Sequence, residues 1–254
     1  MLETLNTAFP HILFEGCSGG GGRFDAGMMY YTPQIWCSDN TDAVNRMDIQ
    51  YGTSFCYPVS TMGAHVSAVP NHQAGRSTPL STRGCVAMSG TFGYELDVTK
   101  LTQQERNTVK RQIAQFHKNY DLIQYGDYYR LTDPSAPYTV WEFAELGGKE
   151  ALICAVSKRI ESNAPPTRIN VQGLDDGSLY DVSIKRADCK ENSFCVYSKL
   201  SGMALKHGGI SMPYPEYAYQ AFIITVKNPA LMRIYKKFSI PMAGNHSTSW
   251  FSVH

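Results

Sequence analysis

FEGCSGGGGRFD, residues Phe14 to Asp25, places a Cys-Ser pair and four consecutive glycines after the apolar run HILFEG. The run HILFEG has the length and the nearly continuous apolar character of a strand that is buried on both faces. Each glycine costs roughly 0.5–1 kcal/mol of conformational free energy relative to alanine. We therefore expect the glycines to form a loop at the end of a buried strand, at a place where another chemical group comes close to the peptide backbone.

A flexible linker and a phosphate-binding loop are both weaker interpretations of the glycine run. A flexible linker does not usually continue straight out of a buried strand. A phosphate-binding loop requires G-x-x-x-x-G-K-[ST], and Arg23 and Phe24 stand where that motif needs Lys and Ser or Thr. In barrel enzymes the active site lies at the carboxyl ends of the strands, which is where this loop falls. There the peptide N–H groups can bind the hydroxyl groups of a ligand.

The first half of the chain has the pattern of an α/β protein. Four short apolar runs that end in Gly, Ser, Asp or Asn predict buried parallel strands: HILFEGCSGG, PQIWCSDN, TSFCYPVS and GCVAMSG. Between them, TDAVNRMDIQYG can form a helix that is capped by Thr41 or Asp39. The clearest helix is TQQERNTVKRQIAQFHKNYDLI, in which Thr102 and Glu105 are spaced as a capping box.

The second half of the chain changes to short strands with no helices between them. The strand-like segments are YTVWEFAEL, EALICAVSKRI, TRINVQGL, SLYDVSIKR, SFCVYSKL and AYQAFIITVK. Turns such as NAPP and LDDGS separate them, which predicts an antiparallel β-sandwich. We place the first domain at residues 1–122 and the second at residues 123–254. The tail from about Lys227 stays unassigned.

Composition argues against several classes of function. The net charge is +1 with no long run of one sign, so no nucleic-acid partner is expected. The seven cysteines include no C-x-x-C pair, which predicts reduced thiols, no metal and no other cofactor in a cytoplasmic protein. The N-terminal segment lacks the basic region of a signal peptide. No apolar stretch approaches the ~20 residues that span a bilayer, so no membrane partner is expected.

The run PQIWCSDN places Asp39 at the end of a predicted strand, close to the indole of Trp36. A carboxyl group buried against an aromatic wall has a raised pKa, because burial disfavours its charged form. A general acid in glycoside hydrolysis needs a pKa that is raised in this way. Alternatively, Asp39 only caps the following helix, and the spacing alone does not separate the two roles.

Three longer stretches resemble a known family: FEGCSGGGGRFDAGMMYYTPQIWCSDNTDAVNRMDIQYGTSFCYP, MGAHVSAVPNHQAGR and MSGTFGYELD. They are similar to the C-terminal part of the catalytic barrel of glycoside hydrolase family 36 α-galactosidases. The resemblance continues through LIQYGDYYRL as far as about Pro213. It implies an α/β plus all-β fold, in which the C-terminal portion of a (β/α)8 TIM barrel is followed by an antiparallel β-sandwich domain.

The resemblance also implies a function. Members of the family are retaining hydrolases that release terminal α-linked galactose from melibiose, raffinose and stachyose. The acid/base role falls on Asp39, and we expect Trp36 to form part of the sugar-binding surface. Contacts with galactose fall on four residues of the glycine loop: Cys17, Ser18, Gly19 and Gly20. The implied partner is an α-galactoside oligosaccharide, with no cofactor, and a homo-oligomer is an option because tetramers are common in the family.

A retaining glycosidase also needs a second carboxylate, which acts as the nucleophile. In the family this is an Asp in a K-W-D motif on an earlier barrel strand, and the 254 residues contain no such motif. Asp25, Asp42 and Asp48 are better explained as carboxylates of loops or helix surfaces. The sequence therefore resembles a truncated α-galactosidase that we expect to be inactive alone. Two alternatives are a carbohydrate-binding remnant without chemistry and one half of a split enzyme.

Several further polar side chains are expected to have structural rather than catalytic roles. We expect His65 and His72 to be structural histidines, because no nucleophile adjoins them. Cys17 has no basic partner beside it in the sequence, so we expect packing and sugar contact rather than nucleophilic attack. Arg76 and Arg83 are expected to anchor a loop or to pair with carboxylates.

Overall fold

The computed structural model describes residues 1–188 and 195–230. Its helices are α1 (Leu2–Ala8), α2 (Ala26–Tyr31), α3 (Ala43–Thr53), α4 (Leu80–Ala87), α5 (Gln103–Lys118) and α6 (Tyr120–Tyr125). The strands of the first half are β1 (Glu15–Gly16), β2 (Gln34–Ile35), β3 (Gly63–Ser67) and β4 (Thr91–Glu95). Those of the second half are β5 (Asp127–Arg130), β6 (Tyr138–Ala144), β7 (Glu150–Ser157), β8 (Arg168–Ile169), β9 (Leu179–Arg186), β10 (Cys195–Ser201), β11 (Ile210–Ser211) and β12 (Ala221–Lys227).

The strands of the first half lie side by side in chain order and run parallel. β1 pairs with β2, and β3 pairs with β4. A parallel bridge between Ile35 and Met62 joins the two pairs. The helices α2, α3 and α4 lie in the connections between the strands. Repeated strand–helix units with parallel neighbours form an arc of a (β/α) barrel, which confirms the first part of the predicted fold class.

Two of the four predicted strands of this half are wrong. TSFCYPVS begins at the last residue of α3 and ends in a single turn of 3-10 helix, Val59–Thr61. GCVAMSG lies largely in α4, where every residue from Ser81 to Ala87 is buried because the helix packs against β3 on one side and β7 and β12 on the other. When a short apolar segment is buried on all sides, its sequence has no periodicity by which a helix could be distinguished from a strand. The actual strands are GAHVS and TFGYE.

The helix ends follow local capping chemistry. Thr102 and Glu105 form the predicted capping box of α5, with reciprocal bonds between the side chain of each and the backbone of the other. For α3, the prediction of the residue that caps its N-terminus was wrong. Neither Thr41 nor Asp39 caps this helix, because the carboxylate of Asp42 accepts the backbone N–H of Asn45 at 3.0 Å.

The second half is built on a six-stranded antiparallel sheet in the order β10-β9-β12-β7-β6-β5. A two-stranded sheet of β8 and β11 covers one face of it. The core between these two layers includes Val140, Ile153 and Ile224 from the large sheet, and Ile169 and Ile210 from the small one. The predicted antiparallel β-domain is therefore confirmed, with a second layer that is much smaller than the first.

The other face of the large sheet packs against the barrel half. Trp141, Phe143 and Cys154 of the sheet share one buried apolar cluster with Met62 and Cys85 of the barrel half. Burial of large side chains from both halves in one core contributes on the order of 1.5–3 kcal/mol for each. The β-domain therefore supports the barrel strands and, through them, the loops at the strand ends.

The predicted boundary at residue 122 lies inside α6 and stays a prediction. The last described strand, β12, ends at Lys227, where the unassigned tail was predicted to begin. Most of that tail, residues 231–254, lies outside the described part of the chain. Within the described ranges, no helix has both the length and the apolar character needed to cross a membrane.

Candidate active site

The glycine loop follows β1 and has an unusual backbone. Ser18, Gly19, Gly20 and Gly21 all have positive φ angles, of 69°, 66°, 76° and 94°. The N–H of Gly22 donates to the carbonyl of Ser18 at 3.1 Å and closes the loop. A run of left-handed conformations is costly for residues that carry a Cβ, so this local geometry favours glycine at positions 19–21.

Two of the glycines are also required by the neighbouring strand end. A Cβ on Gly20 would lie 2.7 Å from the backbone nitrogen of Asp39 and 3.1 Å from its Cγ. A Cβ on Gly21 would lie 2.6 Å from the carbonyl oxygen of Cys37. By contrast, no neighbouring atom lies within 4 Å of a Cβ on Gly19. The close approach at Gly20 and Gly21 is therefore made by the chain itself, and only Gly19 faces open space.

The residue that meets Gly20 is Asp39, the predicted acid/base. Its Oδ1 accepts a hydrogen bond from the indole Nε1 of Trp36 at 3.1 Å. Asp39 does not cap α3, which removes the competing interpretation of this residue. The Asp39 side chain is exposed in the described structure, so the predicted burial of its carboxyl group against an aromatic wall is not found there.

The ring of Trp36 is held from three directions. The ring of His65 lies 4.8 Å away between centroids, and the guanidinium of Arg46 lies 5.3 Å from the indole centroid. A Cβ on Gly63 would lie 2.9 Å from Cε3 of Trp36, so glycine is needed where β3 passes the ring. His65 was expected to be structural, and it does pack against the ring that hydrogen-bonds to Asp39.

Arg46 is a residue of this site that the sequence analysis missed. It is buried on α3, and its guanidinium donates to the carbonyl oxygens of Ser38, at 3.3 Å, and of Gly63. Burial lowers the pKa of the guanidinium from its ordinary value. The signal was present in the spacing of Ala43, Arg46, Met47 and Gln50, because these positions form the buried face of α3.

The cysteines of the site differ in their surroundings. Cys17 is exposed at the start of the glycine loop. Cys37 is half-buried, and burial raises the pKa of its thiol, which nearby Arg46 offsets only in part. A thiol with a raised pKa stays protonated and is a poor nucleophile. Cys37 therefore lacks the features of a catalytic thiolate.

The loop after β2 is fixed by a second loop, residues 68–79. The carboxylate of Asp42 is buried and pairs with the guanidinium of Arg76. The amide of Asn71 donates to the hydroxyl of Thr41 at 3.0 Å. Asp42 was predicted to be a carboxylate of a loop or a helix surface, and it does lie in the loop before α3, but this second loop buries its carboxylate. The expectation that Arg76 pairs with a carboxylate is confirmed.

The remaining predicted residues have simpler places. Arg83 is buried and donates to the carbonyl oxygen of Ser67 at 2.6 Å, so it anchors the end of β3. His72 is exposed, and Asp25 caps α2 by accepting the N–H of Met28 at 2.9 Å. Within residues 1–188 and 195–230, no group of three His, Cys, Asp or Glu side chains could hold a metal ion.

Family models identify both halves of the chain. The Melibiase model matches residues 1–126, and the model of the glycosyl hydrolase family 36 C-terminal domain matches residues 138–226. The chain belongs to glycoside hydrolase family 36. The family resemblance carried by the sequence motifs is therefore confirmed, whereas the individual roles of Asp39, Trp36 and the glycine loop stay predictions.

Two curated relatives of the family 36 chain are much longer than it is. Alpha-galactosidase AgaA of Geobacillus stearothermophilus is 48% identical over 215 residues, which are 84% of this chain and 28% of AgaA. The bifunctional alpha-galactosidase/sucrose kinase AgaSK of Mediterraneibacter gnavus is 46% identical over 248 residues, which are 96% of this chain and 25% of AgaSK. The chain thus spans between a quarter and a third of the length of either relative.

A solved structure supports the fold of the family 36 chain independently. The crystal structure of an AgaA variant in complex with raffinose aligns with a TM-score of 0.80 and 46% sequence identity. The alignment covers 89% of this chain and 30% of the AgaA chain. Agreement over both halves means that the barrel arc and the β-domain occur together in a solved enzyme.

Proposed function

We propose that the chain contributes the acid/base half of the active site of a retaining α-galactosidase. The observation that carries this proposal is the placement of Asp39, which is held by the Trp36 indole at the carboxyl end of a barrel strand and lies against Gly20. The relatives named alpha-galactosidases support the reaction class. The proposed substrates are oligosaccharides that end in α-linked galactose, such as melibiose, raffinose and stachyose.

In the first step of retaining hydrolysis, Asp39 gives its proton to the glycosidic oxygen while a second carboxylate attacks the anomeric carbon. In the second step, Asp39 takes a proton from the water that breaks the galactosyl–enzyme bond. The indole N–H of Trp36 can only donate, so Oδ1 of Asp39 is occupied as an acceptor. The oxygen that exchanges the proton is therefore Oδ2.

The glycine loop has a separate task in this proposal. Gly20 lies against Asp39, Ser18 and Gly19 precede Gly20 in the same loop, and Cys17 is exposed at the start of this loop. Gly19 has open space on its Cβ side, which lets a sugar hydroxyl come close to the peptide. The loop binds the galactose ring while Trp36 limits the motion of the acid.

The nucleophile has to come from a segment other than the 254 residues. Retaining chemistry places the two carboxyl groups roughly 5–5.5 Å apart on opposite faces of the sugar. The K-W-D motif that carries the nucleophile in the family does not occur in this sequence. We propose that the chain alone does not turn over α-galactosides and that it does so when the missing barrel strands are supplied.

The test uses a chimera in which this chain replaces the matched 215 residues of AgaA. This protein, called the AgaA chimera, should hydrolyse raffinose and release α-galactose as the first product, which proton NMR distinguishes from the β-anomer. The 254-residue chain alone should give only background release. A folded chimera without turnover would contradict the assignment, and so would substantial turnover by the chain alone.

A second candidate function is carbohydrate binding without hydrolysis. It is favoured by the fact that Asp39 already contacts both Trp36 and the glycine loop within this chain. Calorimetric titration of the 254-residue chain with galactose measures binding directly. Binding by the chain together with an inactive AgaA chimera would favour this second function over the first.

Two further predictions remain proposals. A cytoplasmic location is supported by five described cysteines that are free: Cys17, Cys37, Cys56, Cys85 and Cys154. A homo-oligomer rests on the family resemblance alone. Fractionation of the source cells and light scattering on the purified protein measure these two properties.

A further inference from the structure

The loop that carries Asp39 is anchored at its far end by a buried ion pair. The carboxylate of Asp42 accepts the N–H of Asn45 at the start of α3 and also contacts Nη1 of Arg76. The Asp42 side chain is 1% exposed and that of Arg76 is 32% exposed. Removing one partner of such a pair leaves a buried charge without compensation, so the position of Asp42 depends on Arg76.

Arg76 is presented by a loop with a fixed shape. The N–H of Asn71 donates to the carbonyl oxygen of Arg76 at 2.8 Å, and the Asn71 side chain donates to Thr41 at 3.0 Å. The hydroxyl of Ser67 donates to the carbonyl oxygen of Thr41 at 2.7 Å. Both loops are therefore joined at Thr41 as well as at the ion pair.

On its other side, Arg76 meets the β-domain. Its Cζ lies 5.7 Å from the ring centroid of Tyr219, which precedes β12. Tyr219 is itself held by both halves, since its carbonyl oxygen accepts from Thr82 of α4 at 2.5 Å and its N–H donates to Ser157 of β7 at 2.9 Å. A guanidinium over an aromatic face is stabilised by the charge distribution of the ring.

From Asp42 the contacts continue to Asp39. The N–H of Asp42 donates to the side chain of Asn40 at 3.1 Å, and the N–H of Asn40 donates to the hydroxyl of Ser38 at 3.1 Å. Asp39 lies between Ser38 and Asn40 in the sequence. A shift of Asp42 therefore moves the backbone that places the Asp39 carboxylate within hydrogen-bonding distance of the Trp36 indole.

We propose that Arg76 is a positioning residue of the site, which fixes the Asp39 loop by pairing with Asp42 while it is held against Tyr219 of the β-domain. This inference rests on the proposed function, because the value of a fixed Asp39 is its acid/base role. The contact between Arg76 and Tyr219 then adds a direct link from the β-domain to the loop that carries Asp39. The position of Asp39, and with it the hydrogen bond from Trp36, depends on Arg76.

The test measures the Trp36 indole N–H by proton–nitrogen NMR of the 254-residue chain with isotope-labelled tryptophan. Trp36→Phe assigns the signal, and Asp39→Ala shows where it lies without its acceptor. Arg76→Gln should move the signal towards its position in Asp39→Ala, and Arg76→Lys should move it less. The matched control is Lys227→Gln, which removes a β-domain ion pair whose lysine is also 32% exposed. This control should leave the Trp36 signal in place.

The Trp141 indole, buried in the shared core, reports folding in every variant. An unchanged Trp36 signal in a folded Arg76→Gln chain would overturn the proposal. If Arg76→Gln loses the Trp141 signal, Arg76→Lys and Tyr219→Leu take its place, and an unmoved Trp36 signal in both would equally overturn it. An inactive AgaA chimera together with a displaced Trp36 signal would contradict the proposed function while the positioning role stands.

Discussion

The indole Nε1 of Trp36 donates a hydrogen bond of 3.1 Å to Oδ1 of Asp39, which follows it by three residues in the sequence. The pair stands at the end of β2, with Gly20 packed against the backbone of Asp39. The indole N–H can only donate, so it holds one specific oxygen, Oδ1, of the Asp39 carboxylate. The proposed mechanism uses this carboxylate twice, first as an acid and then as a base. Loss of either the donor or the close packing at Gly20 should therefore impair catalysis.

Trp36→Phe keeps an aromatic ring beside His65 and removes the only donor to Oδ1 that the described structure gives Asp39. A hydrogen bond to a charged group contributes about 1.5–3 kcal/mol, and the pair is exposed, so the lower end applies. We expect kcat of the AgaA chimera on raffinose to fall about tenfold. Tyr30→Phe, at a ring that is 77% exposed, is the control and should change little. Unchanged kcat in Trp36→Phe would contradict the orienting role.

Gly20→Ala and Gly19→Ala form a matched pair. Both positions have positive φ, of 76° and 66°, so both variants carry a similar backbone strain. Only the Cβ on Gly20 meets Asp39, at 2.7 Å from its nitrogen. We expect Gly20→Ala to lower kcat/KM of the AgaA chimera at least tenfold more than Gly19→Ala does. Equal losses would contradict a specific requirement for the contact between Gly20 and Asp39.

Several parts of this structure were predictable because their signals are local. The capping box of Thr102 and Glu105 fixed the start of α5, and the polar ends of two apolar runs marked the ends of β1 and β2. The length and burial predicted for the first of these runs were wrong, because β1 has only two residues and both Ile12 and Leu13 are exposed. The motifs that carry the family resemblance also placed Asp39 at a strand end. In each case the residues that decide the structure are close together in the sequence.

The parts that failed depend on distant contacts. α4 resembles a strand in sequence because β3, β7 and β12 bury it on all sides. The burial of the Asp42 carboxylate has no local signal, because the loop that covers it, including Arg76, follows 34 residues later. Arg46 bonds to backbone carbonyl groups, which have no sequence signature, and only its spacing on the buried face of α3 pointed to it.

Glu142 of β6 predicts a pH dependence of stability. Its side chain is fully buried, burial raises its pKa from 4.5 to about 8, and Oε1 has no hydrogen-bond partner among the described residues. Between these values the folded chain keeps a proton that the unfolded chain has lost. The free energy of unfolding therefore falls as pH rises through this window, by a few kcal/mol at about 1.4 kcal/mol per pH unit.

Glu142→Gln removes this titration while keeping the shape of the side chain and an acceptor for the N–H of Gln172. We expect the variant to be more stable than the parent at pH 8 and similar to it at about pH 5, as measured by urea unfolding. Glu3→Gln, on the exposed surface of α1, serves as the control. A parent and a Glu142→Gln chain whose stabilities change equally with pH would show that Glu142 does not titrate in this window.

The role of Asp39 is the central claim, and the leaving-group dependence of Asp39→Asn in the AgaA chimera tests it most directly. A general acid typically contributes about a hundredfold to ten-thousandfold, and a nitrophenyl leaving group needs little protonation. The account predicts a loss of that size on raffinose, a much smaller loss in formation of the galactosyl–enzyme from nitrophenyl α-galactoside, and partial rescue of nitrophenyl turnover by azide. Equal losses on both substrates, with no rescue by azide, would contradict it.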